Sequence, residues 1–172
     1  MKQSEQAEQS RQWLMDALLA LMEKRSFESI TVTDITKKAG VARLTFYRHY
    51  ESKEQIIEDY YSDTFNRFIE EITQASKVAN RDALCRCFEY WRQEEKVVKT
   101  LVRHNMKDLL YDNIESYFRC IDGHGSSFYN AFQKKFIGGG LITALIEWVL
   151  NPQGYSAEEM ADMLWELLNR KL

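Results

Sequence analysis

Apolar residues recur along this chain at spacings of three and four, the interval that lines one face of an α-helix, and the pattern predicts an all-α protein. Behind a polar, Gln/Glu-rich stretch from Met1 to about Ser10, expected to fray at its start, a helix from about Gln9 to Lys24 carries Leu14, Leu18 and Leu21, with Trp13 beside the stripe. A long helix follows Ser52 through Ile56, Ile57, Tyr60, Tyr61, Phe65, Phe68 and Ile72 and should link an N-terminal head to a larger body. In that body, Leu84, Phe88 and Trp91 mark a helix over 80–92. Beyond an Arg/Gln/Glu-rich break at 92–96, one helix or a pair covers Val97 to Ile121. Asp122 to Ser126 reads as a turn. Ser126 or Ser127 can then cap a helix reaching Leu150, in which Phe128, Phe132 and Phe136 recur every fourth residue. Asn151 to Gly154 breaks it. Ser156 and Glu159 have capping-box spacing and open a last helix with Met160, Met163, Leu164, Leu167 and Leu168 on one stripe.

The segment Thr31 to Lys53, TVTDITKKAGVARLTFYRHYESK, has a different character. It reads as two short helices joined by a glycine turn and followed by a capped third. Thr33 is expected to cap the first helix, with Asp34 in its first turn where the dipole favours negative charge. Ile35 and Ala39 share the inner face and Lys37 and Lys38 the outer one. Gly40 ends the helix in the left-handed conformation, and Val41 is its apolar anchor. From about Ala42 to His49 a second helix turns Leu44 inward and displays Arg43, Thr45, Tyr47, Arg48 and His49. These side chains suit a duplex: guanidinium forks for base edges, hydroxyls and an imidazole for phosphate oxygens. Ser52 to Gln55 has capping-box spacing and starts the next helix with Lys53 beside its N-terminus, a place to hold a phosphate.

Phe27, Ile30 to Thr33, Ile35, Ala39-Gly40-Val41, Thr45 to Tyr50 and Ser52-Lys53-Glu54 together resemble the DNA-binding domain of TetR-family transcriptional regulators, nearly without gaps from about Leu14 to Ile57. The family often has Ser where this chain has Ala42, and Gly or another small residue where it has Leu44. The first departure removes a helix cap; the second puts bulk at the DNA-facing edge, where Leu44 could meet a thymine methyl. The resemblance implies a three-helix helix-turn-helix domain over 1–53 and a helical regulatory and dimerisation bundle over 54–172. It further implies a dimer on a palindromic operator in double-stranded DNA. Arg43, Leu44 and Thr45 would read bases, with Thr33, Tyr47, Arg48, His49 and Lys53 on or near phosphates. More loosely, Phe128 to Leu141, Glu147-Trp148-Val149 and Ser156 to Met160 resemble a short-bodied subgroup that includes activators of dihydroxyacetone kinase operons. In most of the family a small molecule enters the body; in the activator branch the signal can be another protein.

Charge sharpens this division. Residues 1–53 hold nine Lys and Arg against seven Asp and Glu, a net +2, whereas 54–172 hold fourteen against nineteen, a net −5. A modestly positive head on an acidic body must gain DNA affinity from placed phosphate contacts. The single Pro, the seven Gly and 45% hydrophobic residues fit an almost wholly helical chain.

Gly138-Gly139-Gly140 inside a helical run should cost roughly 1 kcal/mol per glycine relative to alanine, which suggests close backbone approach in return. With Leu141, Leu145, Trp148, Met163 and Trp165, Gly138 and Gly139 are the expected contacts of a homodimer through the last two helices, a four-helix bundle. The alternative is packing within one chain. For a small apolar ligand, the expected lining is Phe88, Trp91, Met106, Leu110, Tyr111 and Phe118. The rival is a helical interaction module that takes its signal from a partner protein.

Other chemistry is excluded. Cys85 and Cys87 lie two apart, so their thiols diverge by about 200° on a helix, and with Cys120, His104 and His124 they make no zinc spacing. Three cysteines make no disulfide framework and should be reduced. No glycine phosphate loop, nucleophile elbow or carboxylate pair is present; Asp108, Asp112 and Glu115 read as a solvated helix face, so neither an enzyme nor a cofactor is expected. The longest apolar run, Phe136 to Leu150, is short of the ~20 residues a bilayer needs and contains Glu147, so a cytoplasmic protein without membrane contact is expected.

Overall fold

A computed structural model describes residues 2–75, 81–113, 118, 131–151 and 154–169. Among them are nine α-helices and no strand: α1 (Lys2–Met22), α2 (Val32–Ala39), α3 (Arg43–His49), α4 (Lys53–Ala75), α5 (Arg81–Gln93), α6 (Glu95–Arg103), α7 (Asp108–Asp112), α8 (Ala131–Leu150) and α9 (Ala157–Asn169). The expected all-α class is observed. A 3-10 turn, Phe27–Ser29, stands between α1 and α2. The turn at 122–126, the caps at Ser126 and Ser127, Phe128, Cys120, His124 and Glu115 lie outside the described residues.

Contacts divide the chain into two compact units, Met1–Asp63 and Thr64–Leu172. The division falls within α4, ten residues beyond the 53/54 boundary read from the sequence. Asp59 shows why the first turns of α4 go with the head: its carboxylate lies 2.7 Å from the Arg11 guanidinium on α1.

In the first unit α1, α2 and α3 pack against one another. Helix α1 starts at Lys2 instead of Gln9, so the polar stretch is helical. It buries Leu14, Met15, Ala17, Leu18 and Met22; Leu21 is only half-buried and Trp13 is exposed. Phe27, Ile30, Ile35, Phe46, Ile56 and Ile57 are buried with them. Burying each such side chain stabilises by about 1.5–3 kcal/mol, which is how helices as short as α2 and α3 persist.

In the second unit α9 packs on α5, and α8 packs on α5, α6 and α7. The second half of α4 joins them through Phe68, whose ring lies 5.3 Å from Tyr90 and 5.6 Å from Trp91, while the Tyr90 hydroxyl donates to the Thr64 carbonyl at 2.7 Å. The expected break at 92–96 is a single residue, Glu94, between α5 and α6. The run from Val97 is interrupted at His104 to Lys107, where Asn105 takes φ +57°. On α9 the capping box is present: the Glu159 N–H donates to Ser156 Oγ at 3.2 Å, and the Ser156 N–H donates to the Glu159 carboxylate at 2.7 Å. Those bonds hold the Glu159 carboxyl below its ordinary range. Arg81 and Asp162 clasp α5 to α9 through two bonds of 2.7 and 3.1 Å, lowering the Asp162 pKa and raising that of Arg81.

Candidate nucleic-acid interface

The geometry of α2 and α3 follows from their ends. The cap of α2 is Thr31, not Thr33: the Asp34 N–H donates to Thr31 Oγ1 at 3.2 Å and the Thr31 N–H donates to the Asp34 carboxylate at 2.9 Å. Thr31 takes the extended backbone a cap requires; Thr33, two residues on, is already helical and exposed. With Arg25 3.3 Å away, the capping bonds hold the Asp34 carboxyl below its usual value. At the other end Gly40 adopts φ +70°, and the Val41 N–H closes on the Thr36 carbonyl at 3.1 Å, the 6→1 bond of a Schellman terminus. The chain is thereby turned into α3. Ala42 precedes α3 with no side-chain cap, as its methyl group requires.

Phe46 anchors α3: it is fully buried and lies edge-on to Tyr47 at 5.2 Å. Leu44, expected inward, is 63% exposed, because Phe46 occupies the inner face and Leu44 stands two residues away on the other side of a helix. Arg43, Tyr47 and Arg48 are exposed with it, and Thr45 is half-buried. The Arg43 guanidinium stacks 5.5 Å from the Tyr47 ring centroid and donates to its hydroxyl at 3.1 Å. From Lys37 to Lys53 the cations Lys37, Lys38, Arg43, Arg48 and Lys53 face a single carboxylate, Glu51, so the reading surface is far more positive than the unit as a whole.

Two further expected phosphate ligands, besides Tyr47, have partners inside the unit, and theirs lie on other elements. Lys53 donates to the carbonyls of Phe27 at 2.6 Å, Ile30 at 2.8 Å and Glu28 at 3.3 Å, and its ammonium lies 4.4 Å from the Phe27 ring centroid. It caps the 3-10 turn. The reason is register: the start of α4 lies beside the turn, and Lys53 adds a second donor to the Phe27 carbonyl, which also accepts from the Ile30 N–H at 3.1 Å. Half-buried His49 places Nε2 2.9 Å from Ser10 Oγ on α1. Neither link follows from local spacing, since the partners are 26 and 39 residues apart.

In the second unit, Gly138, Leu145 and Trp148 are buried within one chain, and Leu141 and Trp165 pack against Leu84, Cys85 and Ala161. Trp148 meets Phe88 edge-on at 5.2 Å, donates to the Tyr155 carbonyl at 2.6 Å and carries the Arg92 guanidinium 3.6 Å over its ring. Those five therefore serve the fold of the single chain; of the expected dimer contacts Met163 is exposed and Gly139 half-buried. Among the described residues a Cβ at Gly139 or Gly140 would meet nothing within 4 Å, so no close approach there explains either glycine. The large exposed apolar side chains on α8 and α9 are instead Phe132, Phe136, Leu150, Met163, Leu167 and Leu168.

Of the expected ligand-lining residues, Phe88, Trp91, Leu110 and Phe118 are buried, and Met106 and Tyr111 are half-buried, the Tyr111 hydroxyl 3.3 Å from Thr143 Oγ1. An open groove of about 790 Å3 in this unit is lined by other side chains, among them Glu89, Arg92, Glu95, Trp148, Tyr155 and Ser156. Cys85 and Cys87 are free thiols, and enclosure pushes the Cys87 thiol up to about 12. Among the described residues no three His, Cys, Asp or Glu side chains form a metal-binding group, and no helix is long and apolar enough to cross a membrane.

A glycine-hinged helix pair that turns a basic, hydroxyl-bearing face outward from a small three-helix unit defines a helix-turn-helix DNA-binding domain. The family model described as bacterial regulatory proteins, tetR family, matches residues 14–60, and that described as transcriptional regulator C-terminal region matches residues 80–170. The chain belongs to the TetR family of transcriptional regulators. Over 68 residues, 39% of the chain, it is 37% identical to the uncharacterized HTH-type transcriptional regulator YxbF of Bacillus subtilis, of which it covers 18%. The fold matches a TetR transcriptional regulator from Streptococcus agalactiae with a TM-score of 0.76 over 99% of both chains at 21% identity. It also matches the dihydroxyacetone kinase operon activator DhaS, with a TM-score of 0.54 over 92% of this chain and 93% of that one at 18% identity.

Proposed function

We propose that the protein binds a palindromic operator as a homodimer, lays α3 in the major groove, and changes its DNA affinity in response to a signal received by residues 64–172. The observation that carries this reading is the two-sidedness of α3: Phe46 is fully buried while Arg43, Leu44, Tyr47 and Arg48 all face solvent. Arg43, Leu44 and Thr45 then reach base edges, and Thr33, Tyr47, Arg48 and His49 lie along phosphates. The positive end of α4 stands ready for a further phosphate through its backbone N–H groups.

Dimerisation is supported by α8, where the exposed positions Phe132, Phe136, Gly140, Thr143, Glu147 and Leu150 recur at fours and threes as one continuous stripe. A second copy covering this stripe and the exposed Met163, Leu167 and Leu168 of α9 would bury the two phenylalanines and bring two glycine backbones close. The two heads would then meet half-sites one turn apart, ~34–36 Å.

Two signals remain in play. A small apolar ligand at the lining expected from the sequence requires Phe88, Trp91, Leu110 and Phe118 to part. Their complete burial favours a second reading, in which a partner protein carries the signal and the body works as an interaction module. The test of the main proposal is a titration of duplexes selected from a random pool, repeated at several salt concentrations. Selection of a two-fold symmetric site, with log affinity falling linearly with log salt, supports it; equal, salt-insensitive binding to every duplex sinks it.

A further inference from the structure

Ser10 lies on α1, 8% exposed, with its hydroxyl oxygen 2.9 Å from the Gln6 carbonyl, 3.0 Å from the Ala7 carbonyl and 2.9 Å from His49 Nε2. A hydroxyl carries one proton. Two oxygens held at about 3 Å from a third with no proton between them repel, so the proton lies on the carbonyl side. Ser10 therefore accepts from the Nε2–H of His49. That leaves Nδ1 of the neutral ring with a lone pair and no hydrogen.

A phosphodiester oxygen accepts hydrogen bonds and donates none. With Nε2–H committed to Ser10, the ring can donate to DNA only through Nδ1, and Nδ1 must first take up a proton. We infer that Ser10 is a positioning residue that makes His49 a proton-gated phosphate contact. On this basis operator binding draws one proton per protomer from solvent onto Nδ1, Nε2–H stays on Ser10, and affinity falls as pH rises. The inference rests on the reading of α3 as the DNA-facing helix.

The charges on the neighbouring elements leave the phosphate as the natural counter-ion. On α1, Arg11 lies 3.9 Å from Glu8 and 2.7 Å from Asp59 of α4, and Glu5 is exposed. On α2, Asp34 is held by Thr31 and Arg25, and Lys37 and Lys38 are cations. Lys53 is bound to carbonyls. Beside His49 itself stand Arg48, the Tyr50 ring at 6.4 Å, its hydroxyl pushed up by burial, and exposed Glu51.

The experiment measures fluorescence anisotropy of a labelled duplex of about thirty base pairs, enriched from a random pool by the protein itself, at fixed ionic strength between about pH 6 and pH 8. The wild-type affinity should drop at least roughly tenfold across that range, with uptake of up to about one proton per protomer, about two per bound dimer, seen in the binding heat in buffers of different ionisation enthalpy. His49→Gln donates without titrating and should give a flat profile. Ser10→Ala releases Nε2–H, so the neutral ring can donate from either nitrogen; its profile should flatten with affinity at pH 8 equal to or above wild type and an unchanged melting temperature. A flat wild-type profile overturns the inference, as does a Ser10→Ala variant that keeps the wild-type slope or is weaker by the same factor at every pH. Failure of the wild type to bind any duplex would overturn the DNA reading instead.

Discussion

The ammonium of Lys53 lies 2.6 Å from the carbonyl oxygen of Phe27 and 4.4 Å from the centroid of the same residue's ring, so the first residue of α4 holds down the turn that leads into α2. Charge-assisted bonds of this kind are worth about 1.5–3 kcal/mol each when enclosed, less here because Lys53 is only half-buried. Lys53→Met should lower stability by about 1–2 kcal/mol, a few degrees in a thermal melt. An unchanged melting temperature with weakened DNA binding would return Lys53 to the phosphate role.

Arg43 and Tyr47 act as one unit, with the hydroxyl steadying the guanidinium that stacks on its ring. Arg43→Ala should cost about 1–3 kcal/mol in operator affinity and relax selectivity at one base pair. Tyr47→Phe should lose less and leave the dimer intact by sedimentation. Equal losses on every sequence for Arg43→Ala would make it a phosphate contact.

Gly40 sits at φ +70° with open space around its missing Cβ, so replacement strains the backbone without a clash. Gly40→Ala should destabilise the protein by about 1–2 kcal/mol in denaturant unfolding. Gly40→Asn, which tolerates this conformation better, should recover part of that.

Asp34 predicts an acid limb. Its folded-state pKa is lowered by the Thr31 bonds first and Arg25 after them, so its contribution is present above the unfolded-state pKa and is lost as pH falls through the folded one. Asp34→Asn should be less stable than wild type at neutral pH, and the two should converge below about pH 4. Parallel stability curves down to pH 2 would exclude the cap as the cause.

Phe136 is 85% exposed on α8. If a second copy covers it, Phe136→Glu should shift the protein to monomer by sedimentation while leaving the fold by circular dichroism, and operator affinity should fall with dimer concentration. An intact dimer would move the interface elsewhere.

The all-α class, the hinge at Gly40 and the outward face of α3 were legible because they depend on local chemistry: a left-handed glycine, a capped turn, a threefold and fourfold spacing. The sequence misled where a side chain answers to a distant partner. Leu44 looked like an inner residue until Phe46 took that face, Lys53 and His49 looked free until Phe27 and Ser10 engaged them, and Trp148 looked like dimer surface although Phe88 and Arg92 cover it. An apolar stripe says that a face is covered, not by what. Phe132 and Phe136 carried the opposite signal, a helical repeat that one chain leaves open.

Helix α3 is seven residues long and follows Ala42, which gives it no side-chain cap. Isolated helices need about 12–15 residues even with favourable composition. A synthetic peptide of residues 42–50 would thus be a random coil with no taste for any base sequence. The shape that meets the groove is a property of α1 and α2 as much as of the residues that touch it, and transplanting those residues to another scaffold would carry the letters without the grammar.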